Sequence, residues 1–365
     1  MNPMHLYLRA DSIHLSEGRA EALDDEFFLS HPAAYFASRI SSLLTAERSV
    51  AVPTPADEPE FFDALGLTKT DQLLVFEEQD RRLQVAVEAL SLRHQAAEAL
   101  LRFMYAVTAA KPKEGDAPST WLAIADSPNA LIDVVQKTVA ALGADEELFL
   151  RCLFTPGTRV DENVAGAAET AVAWVNHASS LLTGDELSVN AAHNKVTHGL
   201  AVSARGDVRI ELITTPPDEL GQIPVSAFGE GKSVPIFDRP MLTYLSRPQV
   251  RPKQGLEAIS LRVDVPVVLA EAWMIANVYA AMFHARAKRH FGDEMPEGVA
   301  PYPTLAIGRL PEQVIGGRPL GYREAVTLPP DDTTEPRKSG LFFHGSFIPM
   351  DIDYDSKVGG VVVDG

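Results

Sequence analysis

One apolar segment, residues 265–283, constrains the fold of this chain more than any other feature of its sequence. As a helix it would be about long enough to cross a bilayer, and a basic cluster at 286–289 follows it. Glu271 lies within it, however, and an ionised carboxylate is costly in lipid. We therefore predict a buried core helix over 266–291 and no membrane span. Inside the protein Glu271 then needs a cationic partner, which we expect to be an arginine from 239–262.

Upstream of residue 199, apolar residues recur with the 3.6-residue period of amphipathic helices. The predicted helices cover 31–47, 82–109, 128–142, 145–154, 161–182 and 185–198, and the one over 82–109 has the strongest pattern. Ser127 is the predicted N-cap of the helix over 128–142, and Gly143 is its predicted end. A linker at 50–59, a short helix at 61–65 and a strand at 72–76 are also predicted.

Downstream of residue 199 the period changes to two, which is typical of strands. Strands are predicted at 200–203, 208–214, 232–237, 256–263, 341–348 and 360–363, with the first two joined as a hairpin. The fold class is therefore α+β, mainly a helical bundle followed by a mixed β region with one buried helix. The predicted segments are an acidic N-terminal region with one or two helices (1–80), the bundle (81–199), and the β region with a Pro/Gly-rich C-terminal segment (200–365).

The charge of the chain limits its partners. The formal net charge is −18, and residues 1–80 alone carry 15 acidic and 5 basic side chains. Such a chain repels phosphate backbones at long range, so a general nucleic-acid coat protein is excluded. Residues 239–290 reverse the sign, with 8 basic and 3 acidic side chains, and are the predicted contact for any RNA partner.

Cysteine content and motif content remove several classes of site. Cys152 is the one cysteine, so no internal disulfide and no cysteine-based metal cluster can form, and a reducing cytosol is expected. The first residues show no basic start followed by an apolar run, so we predict no secretory signal and a cytoplasmic location. The zincin, serine-hydrolase and dinucleotide-binding motifs are absent, and no cofactor or metal site is predicted.

Two predicted helices carry histidines that could do chemistry. The first contains Arg93 and His94, with Glu98 one helical turn after His94, where the pair could be ligands, a base with its orienting group, or an ordinary surface pair. The second contains His193, and one of its faces carries Asn190, Asn194 and His198 at i, i+4 spacing. His198 could equally be a C-capping histidine at a junction that Gly199 fixes.

The second pattern resembles the active helix of HEPN-domain proteins, helical bundles of bacterial toxin and defence systems. Their catalytic pattern is an arginine, often a polar residue directly after it, and a histidine a few residues later. Asn194 and His198 match the polar residue and the histidine, whereas His193 stands where the arginine is expected. The resemblance implies a bundle that binds or cleaves RNA, with His198 as the base. An imidazole replaces the arginine only when it is protonated.

Two functional classes follow, and the sequence leaves open whether the chain is an enzyme. One is a HEPN-like protein that binds or cleaves RNA with His193, Asn194 and His198, assisted by Arg93 and His94. The other is a non-catalytic binding or scaffold protein whose polar helix end fixes the chain at this junction. The first class predicts that His94 and His198 approach each other, and it allows a homodimer whose second chain adds residues to the site.

Overall fold

The computed structural model describes most of the chain from residue 12 to residue 350. The described residues are 12–48, 66, 77–145, 147–159, 161–184, 187–206, 210–213, 216, 233–237, 239–247, 255–305, 307–330 and 337–350. The linker, short helix and strand predicted between 50 and 76, and the strand predicted at 360–363, lie outside these residues, apart from Gly66.

Helices dominate the described residues up to position 199. They are α1 (Glu17–Phe28), α2 (Pro32–Arg48), α3 (Glu78–Thr108), α4 (Thr120–Ala125), α5 (Leu131–Ala144), α6 (Leu148–Leu153), α7 (Glu162–Thr183) and α8 (Val189–Thr197). Two more helices follow, α9 (Val265–Phe291) and α10 (Pro311–Ile315). The predicted helices that correspond to α2, α7 and α9 are confirmed to within one residue at each end, and α3 is confirmed but begins four residues before its predicted start. Helices α1, α4 and α10 were not predicted, because each is short or weakly periodic.

The predicted ends of the helix over 128–142 are wrong. Its N-cap is Ala130, and the hydroxyl of Ser127 instead accepts a hydrogen bond from Nη1 of Arg102 at 2.6 Å. Gly143 lies inside the helix, which continues to Ala144. The helix begins at Leu131, four residues after Ser127, so Ser127 is too far upstream to be its cap.

With these helices the strands give an α+β fold, and within the described residues the strands form two sheets. They are β1 (Val202–Arg205), β2 (Ile210–Ile213), β3 (Ser233–Phe237), β4 (Met241–Ser246), β5 (Glu257–Arg262), β6 (Gly321–Ala325), β7 (Gly340–Phe343) and β8 (Ser346–Pro349). A six-stranded antiparallel sheet has the order β1-β4-β5-β6-β7-β8, and β2 pairs with β3 in a second sheet.

The predicted hairpin between 200–203 and 208–214 is wrong. Strand β1 pairs with β4, and β2 pairs with β3, so these two neighbours in sequence belong to different sheets. Alternation of apolar residues determines which face of a strand is buried, but it does not determine which strand lies alongside. The region predicted as one strand at 341–348 is the hairpin β7–β8, with Gly345 in its turn at a φ of 75°.

The chain forms two compact units, each assembled from three separate stretches. Unit 1 contains Met1–Ala37, Gln95–Thr183 and Ala272–Leu310. Unit 2 contains Ser38–His94, Gly184–Glu271 and Pro311–Gly365. This grouping differs from the three consecutive segments predicted at 1–80, 81–199 and 200–365, because α2, α3 and α9 each contribute residues to both units.

Aromatic side chains form the core of unit 1. Phe28, Phe103 and Phe283 are all fully buried, and the ring of Phe283 lies 5.3 Å from that of Phe28 and 5.9 Å from that of Phe103. Tyr279 adds an edge-to-face contact with Phe103 at 5.4 Å. Rings at these separations add specific geometry to the burial of a large apolar area.

Unit 2 contains the six-stranded sheet, whose core includes Phe237, Met241 and Leu341. Close approach of two strands explains why β6 begins with glycine. A Cβ atom on Gly321 would lie 2.4 Å from the backbone oxygen of Ser260, a separation that no side chain can accept without moving the backbone.

The apolar segment forms helix α9, and its prediction as a buried helix is confirmed. Among the described residues α9 is the one helix that could cross a membrane by length and composition, and 67% of its most apolar window is buried inside the protein. The absence of a membrane partner stays a prediction.

A buried carboxylate orders the start of α4 in unit 1. Asp24 is 4% exposed, and it accepts hydrogen bonds from the hydroxyl of Ser119 at 2.7 Å and from the backbone N–H groups of Thr120 and Trp121 at 2.8 and 3.1 Å. These are the backbone donors that the first turn of a helix cannot satisfy internally.

We predict that Asp24→Ala lowers the free energy of unfolding by about 2–3 kcal/mol, because it leaves buried donors without their charged acceptor. Chemical denaturation followed by circular dichroism measures the change. The exposed carboxylate of Glu169, on α7, provides the matched control, and Glu169→Ala should change the stability by less than about 0.5 kcal/mol. Equal effects of the two substitutions would contradict this role for Asp24.

Candidate functional site

Two imidazole rings meet in unit 2, one from α3 and one from α8. The rings of His94 and His193 are stacked, with centroids 4.0 Å apart and planes inclined by 11°. Nε2 of His94 lies 3.0 Å from Oδ1 of Asn190, which accepts the hydrogen bond that the imidazole donates. His94 is 1% exposed, and His193 and Asn190 are half-buried. We call His94, Asn190 and His193 the imidazole cluster.

The residue before His94 forms a buried ion pair. Nη1 of Arg93 donates to both carboxylate oxygens of Glu271, at 2.8 and 2.9 Å, and the two side chains are 8% and 2% exposed. The expectation that Glu271 has an arginine partner is confirmed. Its expected origin in 239–262 is wrong, because the partner comes from α3, which contacts the first turns of α9.

Both ends of α8 are capped by its own sequence. The hydroxyl of Ser188 accepts from the backbone N–H of Ala191 at 3.1 Å, which begins the helix four residues later than predicted. At the other end His198 is the C-cap residue, and its backbone N–H donates to the carbonyl of Asn194 at 2.9 Å. Gly199 follows at a φ of 120°, a conformation that glycine adopts without strain.

A tyrosine from the sheet binds the start of α8. The hydroxyl of Tyr244, on β4, donates to the carbonyl of Ser188 at 2.8 Å. Burial raises the pKa of Tyr244 above its ordinary value, with a smaller contribution from the carboxylate of Glu257. The hydroxyl therefore remains a donor throughout the physiological pH range, and α8 is held by β4 as well as by α3.

The predicted face with Asn190, Asn194 and His198 is divided by the structure. Asn190 meets His94, together with His193 three residues later, whereas Asn194 and His198 are exposed. His94 thus contacts Asn190 and His193 of this helix. The predicted approach of His94 to His198 stays a prediction. Residues three apart share a helix face as readily as residues four apart, so the spacing alone allowed either choice.

Glu98, the second member of the pair predicted on α3, binds an arginine of its own helix. Its Oε1 accepts from Nε of Arg102 at 2.7 Å, again with i, i+4 spacing. Charged donors form the stronger hydrogen bonds with carboxylates.

Four of the basic residues predicted to contact RNA have partners within the protein. In unit 2, Arg239 and Arg262 lie within 3.6 Å of Oδ2 of Asp264. In unit 1, Nε of Arg286 donates to the hydroxyl of Thr120 at 3.2 Å, and Arg289 donates to the carbonyls of Ala285 and Phe154. Arg251 and Lys253 lie outside the described residues.

The described residues contain no group of three or more histidine, cysteine, aspartate or glutamate side chains that could hold a metal ion. Comparisons of the chain with protein-family models, with characterised proteins and with solved structures gave no match. The imidazole cluster must therefore be interpreted from its own geometry.

Sequence reasoning found the histidines and missed the residues that hold them. Ser188 and Tyr244 were not predicted as part of this site, and no local signal in the sequence connects them. The position of Glu271 in an apolar segment did signal a buried partner. The sequence had indicated Arg93, its partner, as a candidate catalytic residue. A guanidinium whose charge is balanced by a buried carboxylate is instead a structural counter-ion.

We predict that Glu271→Gln lowers the free energy of unfolding by about 3–5 kcal/mol, because it leaves the charge of Arg93 buried without its counter-ion. Denaturant unfolding monitored by tryptophan fluorescence measures the loss. The double variant Arg93→Met with Glu271→Leu should recover most of it, because the two apolar side chains remove both charges together. A double variant as unstable as Glu271→Gln would contradict this explanation.

Proposed function

We propose that this chain is a non-catalytic binding or scaffold protein, and that the imidazole cluster is a structural junction between α3, α8 and the sheet of unit 2. The observation that supports this proposal best is the buried ion pair of Arg93 and Glu271. A guanidinium stabilises developing phosphate charge only when it is free to meet the substrate. The charge of Arg93 is already balanced by a carboxylate at hydrogen-bonding distance.

The burial of His94 supports the same conclusion. A general base must come within hydrogen-bonding reach of the proton that it removes. His94 is 1% exposed, and its Nε2 is engaged with the amide oxygen of Asn190. One void beside the cluster, bordered by Ser91, Val189, His193 and Leu242 among others, has a volume of about 10 Å³. That volume holds no more than one water molecule.

A HEPN-like RNA-cleaving protein is the second candidate, and one observation favours it. Asn194 and His198, the two residues that match the HEPN pattern, are both exposed at the end of α8, where a polynucleotide could reach them. His193, in the place of the expected arginine, lies in the same helix and stacks on His94. In this candidate His198 is the base for the ribose 2′-hydroxyl, and a protonated His193 supplies the positive charge.

An RNA-cleavage assay distinguishes the two candidates. We expect the purified chain and its His198→Ala and His193→Arg variants to leave both structured and single-stranded RNA intact. Cleavage by the wild type that is abolished by His198→Ala, and that falls as the pH rises above neutrality, would contradict the binding proposal in favour of the second candidate. A variant Lys195→Ala, which changes a neighbouring exposed residue of α8, is the matched control for disturbance of the helix.

A structural role for His193 makes a separate prediction. His193→Ala should lower the free energy of unfolding by about 1 kcal/mol, since a stacked ring pair contributes about 0.5–1.5 kcal/mol beyond its area. His193→Phe, which keeps a ring over His94, should retain most of the wild-type stability. Thermal unfolding followed by circular dichroism measures both. If His193→Phe proves as unstable as His193→Ala, the stacking contact does not account for the contribution of His193 to the free energy of unfolding.

A further inference from the structure

A cleft in unit 1, separate in sequence from the imidazole cluster, has the dimensions of a small-molecule site. Its volume is about 590 Å³. Its walls are the turn after α6, the first turns of α7, one face of α9 and the segment 302–305. Pockets that enclose small organic ligands commonly have volumes of about 300–1,000 Å³. The cleft therefore accepts a ligand of the size of an aromatic acid or larger.

The walls of the cleft are held in place by hydrogen bonds that do not need a ligand. Nη2 of Arg289 donates to the carbonyl of Phe154 at 3.0 Å, and the hydroxyl of Tyr302 donates to the carbonyl of Leu153 at 3.0 Å. Burial raises the pKa of Tyr302 to about 12, so this hydroxyl keeps its proton at neutral pH. The turn between α6 and α7 is fixed from two sides, and the cleft is preformed.

One cation borders the cleft, and its partner in the protein is weak. Nζ of Lys288 lies 3.6 Å from Oδ1 of Asp293, whose side chain is fully exposed to solvent. A pair at this distance with a fully exposed carboxylate contributes little, because water and salt screen it and both side chains lose conformational freedom. The ammonium of Lys288 can therefore leave Asp293 and contact a bound anion in the cleft at a small cost in free energy.

A hydrogen-bond acceptor lies one helical turn from this cation. His284 and Lys288 have i, i+4 spacing on α9, and both border the cleft. Nδ1 of His284 donates to the carbonyl of Ala300 at 2.7 Å. In its neutral form this ring has its lone pair on Nε2, where it accepts a hydrogen bond. Apolar side chains, including Phe154, Val164, Ala167 and Leu305, provide the rest of the wall.

We propose that this cleft binds a small organic monoanion with an apolar body, whose anionic group contacts Lys288 and whose neighbouring hydroxyl or amino group donates to His284. A single lysine suits one carboxylate better than a phosphate ester, which is commonly bound by several donors or by a guanidinium fork. The ring of Tyr302 and the side chains of Val164 and Ala167 enclose the apolar body of the ligand. The inference names a ligand class for the binding function proposed above and rests on that function.

The test uses three related probes and ligand-observed NMR, which detects weak complexes. 3-Phenyllactate carries both polar groups, 3-phenyllactamide lacks the charge, and 3-phenylpropionate lacks the hydroxyl. We expect the wild type to bind 3-phenyllactate saturably and about tenfold more tightly than the amide, a difference of about 1.4 kcal/mol. 3-Phenylpropionate should bind more weakly than 3-phenyllactate, because the acceptor on His284 then loses its donor.

Variants assign the binding to the cleft. Lys288→Gln should bind 3-phenyllactate and its amide with equal affinity, whereas Lys137→Gln, which removes an exposed lysine from α5 in the same unit, should behave as wild type. Ala167→Phe should abolish binding of all three probes by filling the space. Because a phenylalanine at position 167 also affects folding if it does not fit, the thermal unfolding of Ala167→Phe is compared with that of the wild type. If Ala167→Phe is destabilised, the result with Lys288→Gln alone decides whether the probe binds in the cleft.

The proposal is overturned if the wild type shows no saturable binding of 3-phenyllactate up to about 10 mM, the range in which even weak ligands are detected. It is also overturned if Lys288→Gln keeps the preference for the acid over the amide. The proposed function fails on a different result, RNA cleavage that requires His198. The two failures are therefore distinguishable.

Discussion

The buried ion pair of Arg93 and Glu271 is the constraint around which the predicted site is arranged. Each charge would be intolerable at its position without the other, because both side chains are almost completely removed from water. The pair requires α3 and the first turns of α9 to keep one relative register within unit 2. His94, the next residue on α3, is positioned as a consequence, and its contacts with Asn190 and His193 place α8.

The same pair separates two uses of positive charge that a sequence cannot tell apart. An arginine beside a histidine on an amphipathic helix is equally consistent with a catalytic pair and with a counter-ion for a carboxylate elsewhere. The HEPN resemblance depends on the first use, at the end of α8, where His193 stands in place of an arginine. Arg93, the residue before His94, has the second use, as the counter-ion of Glu271. The HEPN resemblance itself stays a prediction.

The sequence predicted those parts of the fold that local periodicity determines. Long helices such as α3 and α7 were predicted because their apolar stripes run for several turns, and α9 because its composition left few alternatives. Short elements such as α4 have too few residues to show a period. Strand partners were missed because pairing depends on residues far away in sequence, as β1 with β4 shows. The site followed the same rule: His94 and His193 were found, but Ser188 and Tyr244, which join α8 to the sheet, were not.

The interleaving of the two units has a consequence for synthesis on the ribosome. Domains of ordinary construction fold one after another as the chain emerges. Unit 1 lacks its third stretch until residue 310 has left the exit tunnel, and the sheet of unit 2 lacks β6, β7 and β8 until still later. Helices α3 and α7 therefore emerge with apolar faces whose native partners do not yet exist. A nascent chain of this kind exposes apolar surface until its C-terminal stretches have been synthesised, and exposed apolar surface of this kind promotes aggregation.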